Sequence, residues 1–384
     1  MSTKKIRLLL IIPTLDQSGA EKQLALLASG LDQANFDVHV CLLTRDGPLS
    51  DMLKKNNITY TVIGKRSKIS FSAYFKLKRL IKQLRPHIVH TWLFAANAYG
   101  RMAAIACGVP SIICGERCVD PWKSSLYFAI DRWLAKKTNV IAANSEGIRE
   151  FYVRHGLPSE KFVVIPNAVT PLPPSPWSRQ ELLEQVGLEP GEDGKPFLIG
   201  IVARLWPQKR IKEALWSFDQ LKFAGLDFHA LIIGDGPERD NLLRYREELL
   251  LKDCVHFLGH RSDVYRFMPH FDLLWCTSAY EGQSNSILEA MSVGVPVLAS
   301  DIPGNQELVV PGETGILIPE FDGDVQRRRT AFTRETLELL KPENEERRRR
   351  FGKAARLRIE TEFSLEKMIR QYAELYRTQV EQHE

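Results

Sequence analysis

The chain has 384 residues, of which 44% are hydrophobic and 26% charged, with a formal net charge of +5 at pH 7. This length allows two or three domains, each with enough apolar residues to bury a core of its own. No run of 18 apolar residues occurs, which argues against a membrane-spanning helix, and we expect no signal peptide because Met1–Lys5 leads into a short apolar segment without a cleavage pattern.

The first half of the chain alternates apolar, strand-like segments with helical ones. Residues 6–12 predict a buried strand, and the turn that follows, Ser18–Glu21, precedes a helix rich in Leu and Ala. A dinucleotide fingerprint would need G-x-G-x-x-G here, and only Gly19 is present, which argues against a dehydrogenase. Further strands are predicted at 38–43, 60–63, 88–91, 111–114 and 140–142, and helices at 71–84, 95–106 and 124–136. This alternation implies a parallel sheet with right-handed crossovers.

Three polar residues lie at or just after the ends of predicted strands of this half, at the edge where parallel sheets bind ligands. His90 ends one strand, and Glu116 and Arg117 follow the next. A histidine in this position is compatible with a structural role as well as with ligand contact. We predict an acceptor-binding role for Glu116 and Arg117.

The basic residues are concentrated in the first half. Residues 1–170 hold 24 Lys and Arg against 12 Asp and Glu, a net +12, which leaves −7 for the rest. Between Asp51 and Glu116 there are eleven basic residues and no acidic one. Such a segment is compatible with a solvated helix face, but its one-sidedness favours an anionic membrane or lipid-phosphate partner. Nucleic acid is not predicted, because no nucleic-acid-binding motif is present.

A change of composition separates the two halves. Residues 171–176 and 190–196 are rich in Pro and Gly, as in linkers and surface loops. We therefore predict an N-terminal domain at 1–170, a linker and surface loop at 171–195, and a second domain at 196–362. Residues 363–384 form an amphipathic segment that we expect to be a helix packing back on the N-terminal domain.

The second half repeats the alternation of strands and helices. Strand 197–202 is followed by a turn that carries Arg204 and Lys209, and then by helix 211–223. Strand 255–258 is followed by His260 and Arg261, near which Ser262 or Asp263 could simply cap a helix. Two cations at a strand end suit a diphosphate, because Arg offers a bidentate fork and Lys a point charge.

The most informative stretch is 281–289, Glu-Gly-Gln-Ser-Asn-Ser-Ile-Leu-Glu. It follows an apolar run at 271–276 and leads into a predicted helix, so it lies where a parallel strand meets a ligand crevice. Glu281 and Glu289 are eight residues apart, and the amides at the helix start suit an anion or sugar hydroxyls. The spacing alone would also suit one loop glutamate and one on a helix surface.

This stretch resembles the E-x7-E signature of retaining glycosyltransferases of the GT-B fold, specifically glycosyltransferase family 4, and the flanking segments 296–301 and 312–317 resemble that family too. The resemblance implies an α/β protein with two Rossmann-like, doubly wound parallel-sheet domains facing across a cleft, and a C-terminal helix that crosses back to the first domain. Turn 18–21 resembles the family's Gly-Gly-Ala-Glu loop, but only Gly19 of the two glycines is kept.

The resemblance also implies a role for each site residue. Arg204 and Lys209 match a diphosphate clamp that stabilises the leaving phosphate, Glu281 and the amides of residues 283–285 hold the donor sugar, and Glu289 accepts from ribose hydroxyls. His90 contacts the sugar, and Gly19 approaches the donor phosphates. The remaining donor contacts fall on loop residues: Gln283, Ser284, Asn285, His260 and Arg261.

The predicted function is therefore sugar transfer from a nucleotide diphosphate sugar, a UDP-sugar first, to a lipid-linked or glycan acceptor at a membrane surface. We expect a metal-independent, retaining hexosyl- or N-acetylhexosaminyltransferase without a cofactor, in the cytoplasm and peripheral on the inner face of the plasma membrane. The six cysteines fit reduced thiols in that compartment, because no second close pair completes a zinc site. Two rivals stay open: a sugar-nucleotide epimerase of the same architecture, and a non-catalytic nucleotide-sugar-binding protein.

Overall fold

The structure, a computed structural model, describes residues 5–67, 69–189 and 196–383. The chain forms two compact units, the first from Met1–Ala168 with Leu365–Glu384 and the second from Val169–Ser364. Of the predicted linker 171–195, residues 190–195 lie outside the described residues. The described part belongs to the second unit, because Leu182 and Leu183 on a short helix are buried in that unit's core.

The first unit is built on a seven-stranded sheet in which every observed strand pair is parallel. The strand order is β3-β2-β1-β4-β5-β6-β7. The strands are β1 Ile6–Ile12, β2 Phe36–Leu42, β3 Thr59–Val62, β4 Ile88–Trp92, β5 Ser111–Glu116, β6 Val140–Ala143 and β7 Phe162–Val164. The helices of this part of the chain are α1 Gly19–Gly30, α2 Ser50–Lys55, α3 Phe71–Leu84, α4 Phe94–Ala106, α5 Ser125–Ala135 and α6 Glu146–Arg154.

Helices cover both faces of this sheet, and alternate residues of β1 show which helices lie on which face. Leu8 and Leu10 are buried in the same cluster as residues of α1 and α2, whereas Leu9 and Ile11 are buried with residues of α3 and α4. Successive side chains of a strand point to opposite faces, so both faces of β1 are buried. This explains why β1 is an uninterrupted apolar run rather than an alternating one.

The last helix of the chain, α14 (Leu365–Glu381), completes the core of the first unit. Met368, Tyr372 and Tyr376 are buried in the same cluster as α1. Gln379 accepts a hydrogen bond from Ser111 Oγ at the start of β5, at 3.1 Å. Helix α14 therefore packs against this sheet, although almost 200 residues separate it in sequence from the rest of its unit.

The second unit has a six-stranded sheet, again with every observed pair parallel, in the order β10-β9-β8-β11-β12-β13. Its strands are β8 Phe197–Val202, β9 Phe228–Ile233, β10 Val255–Gly259, β11 Leu273–Cys276, β12 Val297–Ser300 and β13 Gly315–Ile318. Its helices are α7 Arg179–Gln185, α8 Ile211–Phe223, α9 Arg239–Glu248, α10 Asn285–Ser292, α11 Pro303–Gln306, α12 Val325–Leu339 and α13 Glu345–Glu362.

An ionic network centred on the buried Arg328 connects α12 to α8 in this unit. Arg328, which is 3% exposed, donates to both carboxylate oxygens of Glu213 at 2.8–3.0 Å and lies 3.3 Å from Glu320. Arg210, the residue before α8, donates to the same Glu320 at 2.8 and 2.9 Å. The charged helix α12 therefore has a partly interior face, because its Arg328 meets carboxylates from other elements.

The two sheets have the architecture that the sequence predicts. Each unit is a Rossmann-like, doubly wound parallel sheet with its own core, and the last helix returns to the first unit. The predicted fold class is thereby confirmed. Among the residues that the structure describes, no helix combines the length and the apolar character needed to cross a membrane.

Candidate functional site

The loops after β8 and β11 meet at the point where the sheet of the second unit reverses its strand order. From β8 the chain runs outward through β9 and β10, then returns to place β11 on the other side of β8. Loops that leave neighbouring strands in opposite directions open a crevice at the carboxyl edge of the sheet, the usual ligand site of this architecture. One of these loops carries Arg204 and Lys209 and the other carries Glu281.

Lys209 and Glu281 form a direct ion pair at this crevice. The ammonium of Lys209 bonds Oε1 of Glu281, and the two side chains are only 17% and 10% exposed. Ser278 Oγ donates to the same carboxylate oxygen at 2.7 Å. Burial, the largest effect, disfavours the charged form of Lys209, but the interactions with Glu281 and Cys276 together raise the pKa of Lys209 above its ordinary value. The pair is thus a charged, largely desolvated centre.

Three further hydrogen bonds hold the two loops together around this pair. Gln208 takes part in two of them, since its carbonyl accepts from the amide of Ala279 at 2.8 Å and its side chain donates to the carbonyl of Tyr280 at 2.7 Å. Thr277 Oγ1 donates to the carbonyl of Lys209 at 2.7 Å. These bonds fix the backbone on both sides of Lys209, which lies in a short 3₁₀ turn at 207–209.

Arg204 is the second cation of the β8 loop, and it is exposed. Its guanidinium lies over the ring of Trp206, 5.7 Å from the ring centre, and Trp206 is itself 48% exposed. Its positive charge acts on Lys209, where it opposes the rise in pKa. An exposed guanidinium with an aromatic surface beside a buried ammonium gives the crevice two positive groups at different depths.

Glycines allow the backbone around the site to come this close. A Cβ on Gly304 in α11 would overlap the backbone oxygen of Gly282 and lie 2.8 Å from that of Glu281. Gly234, after β9, has a φ of 142°, and a Cβ there would lie 2.8 Å from the carbonyl carbon of Ala203 and overlap its oxygen. Glycine is therefore required sterically behind both loops.

Helix α10 begins at the far end of the Glu281 loop. Ser284 caps it, because its hydroxyl accepts from the amide of Ile287 at 3.4 Å. The side chains of Gln283 and Ser284 are buried, and that of Asn285, the first helical residue, is half-buried. Glu289 lies one turn into the helix and is half-buried as well. The predicted contribution of residues 283–285 through backbone amides matches a helix start, where the first N–H groups have no partner within the helix.

His260 and Arg261 follow β10, which is the edge strand two positions from β8. His260 is exposed. Arg261 is held by Asp263 through two hydrogen bonds of 2.8 Å and lies 4.6 Å from the ring centre of Phe267. Asp263 makes no capping bond to the short helical turn that follows it, so its side chain binds Arg261 rather than capping that turn.

Gly19 lies in the first unit, at that sheet's own point of reversed strand order, between β1 and β4. It is the first residue of α1 and it is exposed. The Ser18 hydroxyl bonds the carboxylate of Glu21, which is 7% exposed. The structure thus places a helix start and an exposed glycine at the carboxyl edge of β1.

His90 does not end its strand, because β4 continues to Trp92. The ring is fully buried, and its Nδ1 lies 2.8 Å from the hydroxyl of Tyr376 on the last helix. Burial, assisted by the neighbouring charge of Arg117, lowers the pKa of His90 well below its ordinary value. This placement does not favour the predicted contact with a donor sugar, since the ring is covered on all sides by its own unit.

Glu116 and Arg117 are also interior, with exposures of 2% and 7%. Burial raises the pKa of Glu116 to about 6, although the ammonium of Lys123, 4.0 Å away, opposes this. Arg117 donates to the hydroxyl of Tyr372 at 3.1 Å, bonds Asn167, and lies 4.3 Å from the ring centre of Trp92. Their partners are all internal, so the predicted acceptor role gains no support from this placement.

Several residues that shape the site carry no role in the sequence interpretation. They are the residues that fix the two loops: Gln208, Thr277, Ser278 and Gly304. Polar residues directly after an apolar strand were a usable signal for Thr277 and Ser278. Gln208 and Gly304 gave none, because their importance depends on which strands are neighbours.

Two family models match the chain. Residues 17–171 match the model described as Glycosyltransferase Family 4, and residues 188–358 match the one described as Glycosyl transferases group 1. The first match covers most of the first sheet with Gly19, and the second contains the Lys209–Glu281 pair. Together they cover both sheets apart from β1, and they leave out the last helix.

Relatives found by sequence comparison are glycosyltransferases as well. The chain is 30% identical over 315 residues to an Escherichia coli UDP-Gal:alpha-D-GlcNAc-diphosphoundecaprenol alpha-1,3-galactosyltransferase, covering 77% of this chain and 79% of that protein. It is 25% identical to a Campylobacter jejuni enzyme that transfers N-acetylgalactosamine to a diphospho-undecaprenol-linked saccharide, over 82% and 86%. Anabaena HepE in complex with UDP and glucose superposes with a TM-score of 0.83 at 22% identity, covering 97% of this chain and all of that one.

Proposed function

The chain belongs to glycosyltransferase family 4 of the GT-B fold, and from that premise we propose that it transfers a sugar from a UDP-sugar to a lipid-linked saccharide with retention of configuration. The donor and acceptor classes follow the names of the Escherichia coli and Campylobacter jejuni relatives. The single observation that carries the proposal is the largely buried Lys209–Glu281 ion pair. It joins two loops at the point where the strand order of the second unit's sheet reverses.

The pair has the chemistry that a diphosphate sugar requires. A diphosphate brings negative charge into the crevice, and more develops on the leaving oxygen as the bond from the sugar to the phosphate breaks. Lys209 offers a fixed ammonium there, with three donor protons of which Glu281 takes one. Arg204 supplies a second cation that can bind phosphate oxygens in bidentate fashion. Because these loops are fixed before the donor arrives, little reorganisation is needed during the reaction.

In the proposed reaction the acceptor hydroxyl attacks the anomeric carbon from the side that the phosphate leaves, and its proton passes to a phosphate oxygen. The products are the extended saccharide and UDP, so atoms and charge balance without a cofactor. Glu281 orients the sugar and the ammonium, and Glu289 on α10 accepts from ribose hydroxyls. Metal independence is part of the proposal, since Lys209 and Arg204 supply the positive charge that a metal ion would otherwise provide.

The decisive experiment compares variants of the pair with matched neighbours. Purified protein is incubated with each of a set of UDP-sugars and a short-chain prenyl-diphosphate saccharide, with and without a chelator. Lys209→Gln and Glu281→Gln should each lower turnover by about a hundredfold or more, because each removes an electrostatic contact at the reacting centre. Lys212→Gln and Glu313→Gln, which change exposed residues of the same unit, should be close to wild type.

Three results would contradict the proposal. Wild-type turnover in either pair variant would remove Lys209 and Glu281 from the mechanism. Loss of activity with the chelator, restored by a divalent cation, would refute metal independence. Conversion of the donor alone into its epimer, without transfer, would indicate an epimerase.

A further inference from the structure

The exposed surface of α3 in the first unit combines large apolar side chains with basic ones. Phe71 and Phe75 are 75% and 64% exposed, and Ile69, just before the helix, is 76% exposed. Lys76, Arg79 and Lys82 are exposed further along the same helix. Positions 71, 75, 79 and 82 follow each other at intervals of three or four residues, so they share one face of the helix.

The opposite face of α3 is accounted for by the core. Ala73, Leu77, Leu80 and Ile81 are buried against the sheet and α4. The apolar residues on the outer face are thus additional to those that the fold needs. Isolated exposed apolar residues are ordinary, but several large ones beside each other on a monomer mark an interaction site.

An aromatic cluster at the same edge of the unit extends this surface. Phe94 begins α4 and packs against the rings of Trp122 and Tyr127 at 5.2 and 4.9 Å between ring centres. Trp122 is 55% exposed and Leu126, at the start of α5, is 67% exposed. All three helices begin at the carboxyl edge of the sheet, and α4 lies between α3 and α5. We call Ile69, Phe71, Phe75 and this cluster the apolar rim.

The charge of this surface indicates which kind of partner binds it. From 52 to 115 the sequence contains no Asp or Glu, so no carboxylate within that segment opposes the cations of α3. A purely acidic protein surface or a nucleic-acid duplex would use the cations but would leave the phenylalanines in water. An anionic bilayer uses both, because its headgroups attract Lys and Arg while its interfacial region accepts apolar side chains.

We infer that the apolar rim and the basic face of α3 dock the first unit on an anionic lipid bilayer, with Ile69, Phe71 and Phe75 entering the boundary between headgroups and acyl chains. The inference deepens the proposed function, on which it rests for its purpose, because a lipid-linked acceptor is presented at such a surface. Its physical test requires no sugar transfer.

The test is sedimentation of the full chain with vesicles of equal parts phosphatidylcholine and phosphatidylglycerol, against vesicles of phosphatidylcholine alone. Wild type should sediment with the anionic vesicles only, and less as salt is raised. Phe71→Ser with Phe75→Ser should weaken binding by about tenfold or more, since two large apolar side chains no longer leave water. Lys76→Gln, Arg79→Gln and Lys82→Gln together should weaken it by on the order of a hundredfold.

Matched controls come from the second unit. Phe223→Ser with Leu250→Ser removes two apolar side chains that are 90% and 77% exposed, and Arg334→Gln, Arg349→Gln and Arg350→Gln remove three exposed cations. Both should bind vesicles like wild type. Insertion is measured separately by Phe71→Trp, whose added fluorescence should shift to the blue with anionic vesicles, whereas that of Phe223→Trp should not.

The inference is overturned if the Phe71/Phe75 variant sediments like wild type, which would indicate electrostatic adsorption alone, or if wild type does not bind anionic vesicles. Tighter binding to duplex DNA than to vesicles, insensitive to the phenylalanines, would overturn it in favour of nucleic acid. Failure of this inference can be distinguished from failure of the proposed function. Lys209→Gln should retain vesicle binding, and the Phe71/Phe75 variant should retain the thermal stabilisation that a bound UDP-sugar gives.

Discussion

The α-carbon of Gly304 lies directly behind the backbone of Gly282, so that a methyl group on Gly304 would overlap the Gly282 carbonyl oxygen. The two glycines belong to α11 and to the loop that presents Glu281. Their contact sets how far the loop stands from the sheet and hence where the carboxylate meets Lys209. The position of a charged group at the site is therefore determined by a residue without a side chain.

We predict that Gly304→Ala lowers turnover by about a hundredfold, because the added methyl must push the Glu281 loop outward and a displacement near 1 Å at a reacting centre costs about that much. Steady-state transfer with a saturating donor measures this. Gly225→Ala is the control, since a Cβ there meets no atom within 4 Å and only its φ of 78° is strained. Unchanged turnover in Gly304→Ala would show that the loop position does not matter.

Apolar periodicity sufficed to predict much of the second unit. The predicted strand 197–202 and helix 211–223 have the observed ends, because an apolar run bounded by Pro196 and an arginine turn leaves little ambiguity. The residue types at the site were also predictable, since polar residues directly after parallel strands lie at the ligand edge. The contact between Lys209 and Glu281 follows only from the strand order, which places β11 beside β8.

The residues that were harder to interpret are those whose partners are distant in sequence. His90 was expected to face a ligand, yet its partner is Tyr376, 286 residues away. Glu116 was predicted to contact an acceptor, but it is buried with the ammonium of Lys123 4.0 Å away, although carboxylates are rarely buried. Sequence composition indicates that a charge needs solvation, whereas only the structure shows whether water or protein provides it.

The Lys209–Glu281 pair should contribute to the free energy of unfolding as well as to turnover. Removing one partner leaves the other charged and largely buried, which typically costs about 3–5 kcal/mol. We predict that Lys209→Met and Glu281→Gln each lower the free energy of unfolding, and that the double variant is more stable than the sum of the two losses implies. Urea unfolding of the four proteins gives the coupling. Strict additivity would mean that the pair contributes no coupling energy.

The network at α12 gives a prediction for stability at a position outside the site. Arg328→Met should lower the free energy of unfolding by about 3 kcal/mol or more, because Glu213 and Glu320 lose their buried partner. Arg327→Met, at an exposed neighbouring position of α12, should change it by less than about 0.5 kcal/mol. Since Arg210, next to Lys209, shares Glu320, turnover of Arg328→Met should fall too. Equal stability of the two variants would contradict the role given to the network.

His90 predicts how the stability of the protein depends on pH. In the unfolded chain its pKa is about 6.5, whereas burial and then Arg117 lower it in the folded state. The unfolded state therefore binds the proton more readily, so the stability that neutral His90 permits is complete above about pH 6.5 and is lost as the pH falls toward the folded pKa. The loss can reach about 1.4 kcal/mol per pH unit.

His90→Gln removes this titration, so its melting temperature should fall less steeply than that of wild type between pH 7 and 5. Other histidines titrate in both proteins, so the difference between the two curves isolates His90, and parallel curves would show that its ring is charged or exposed in the folded state.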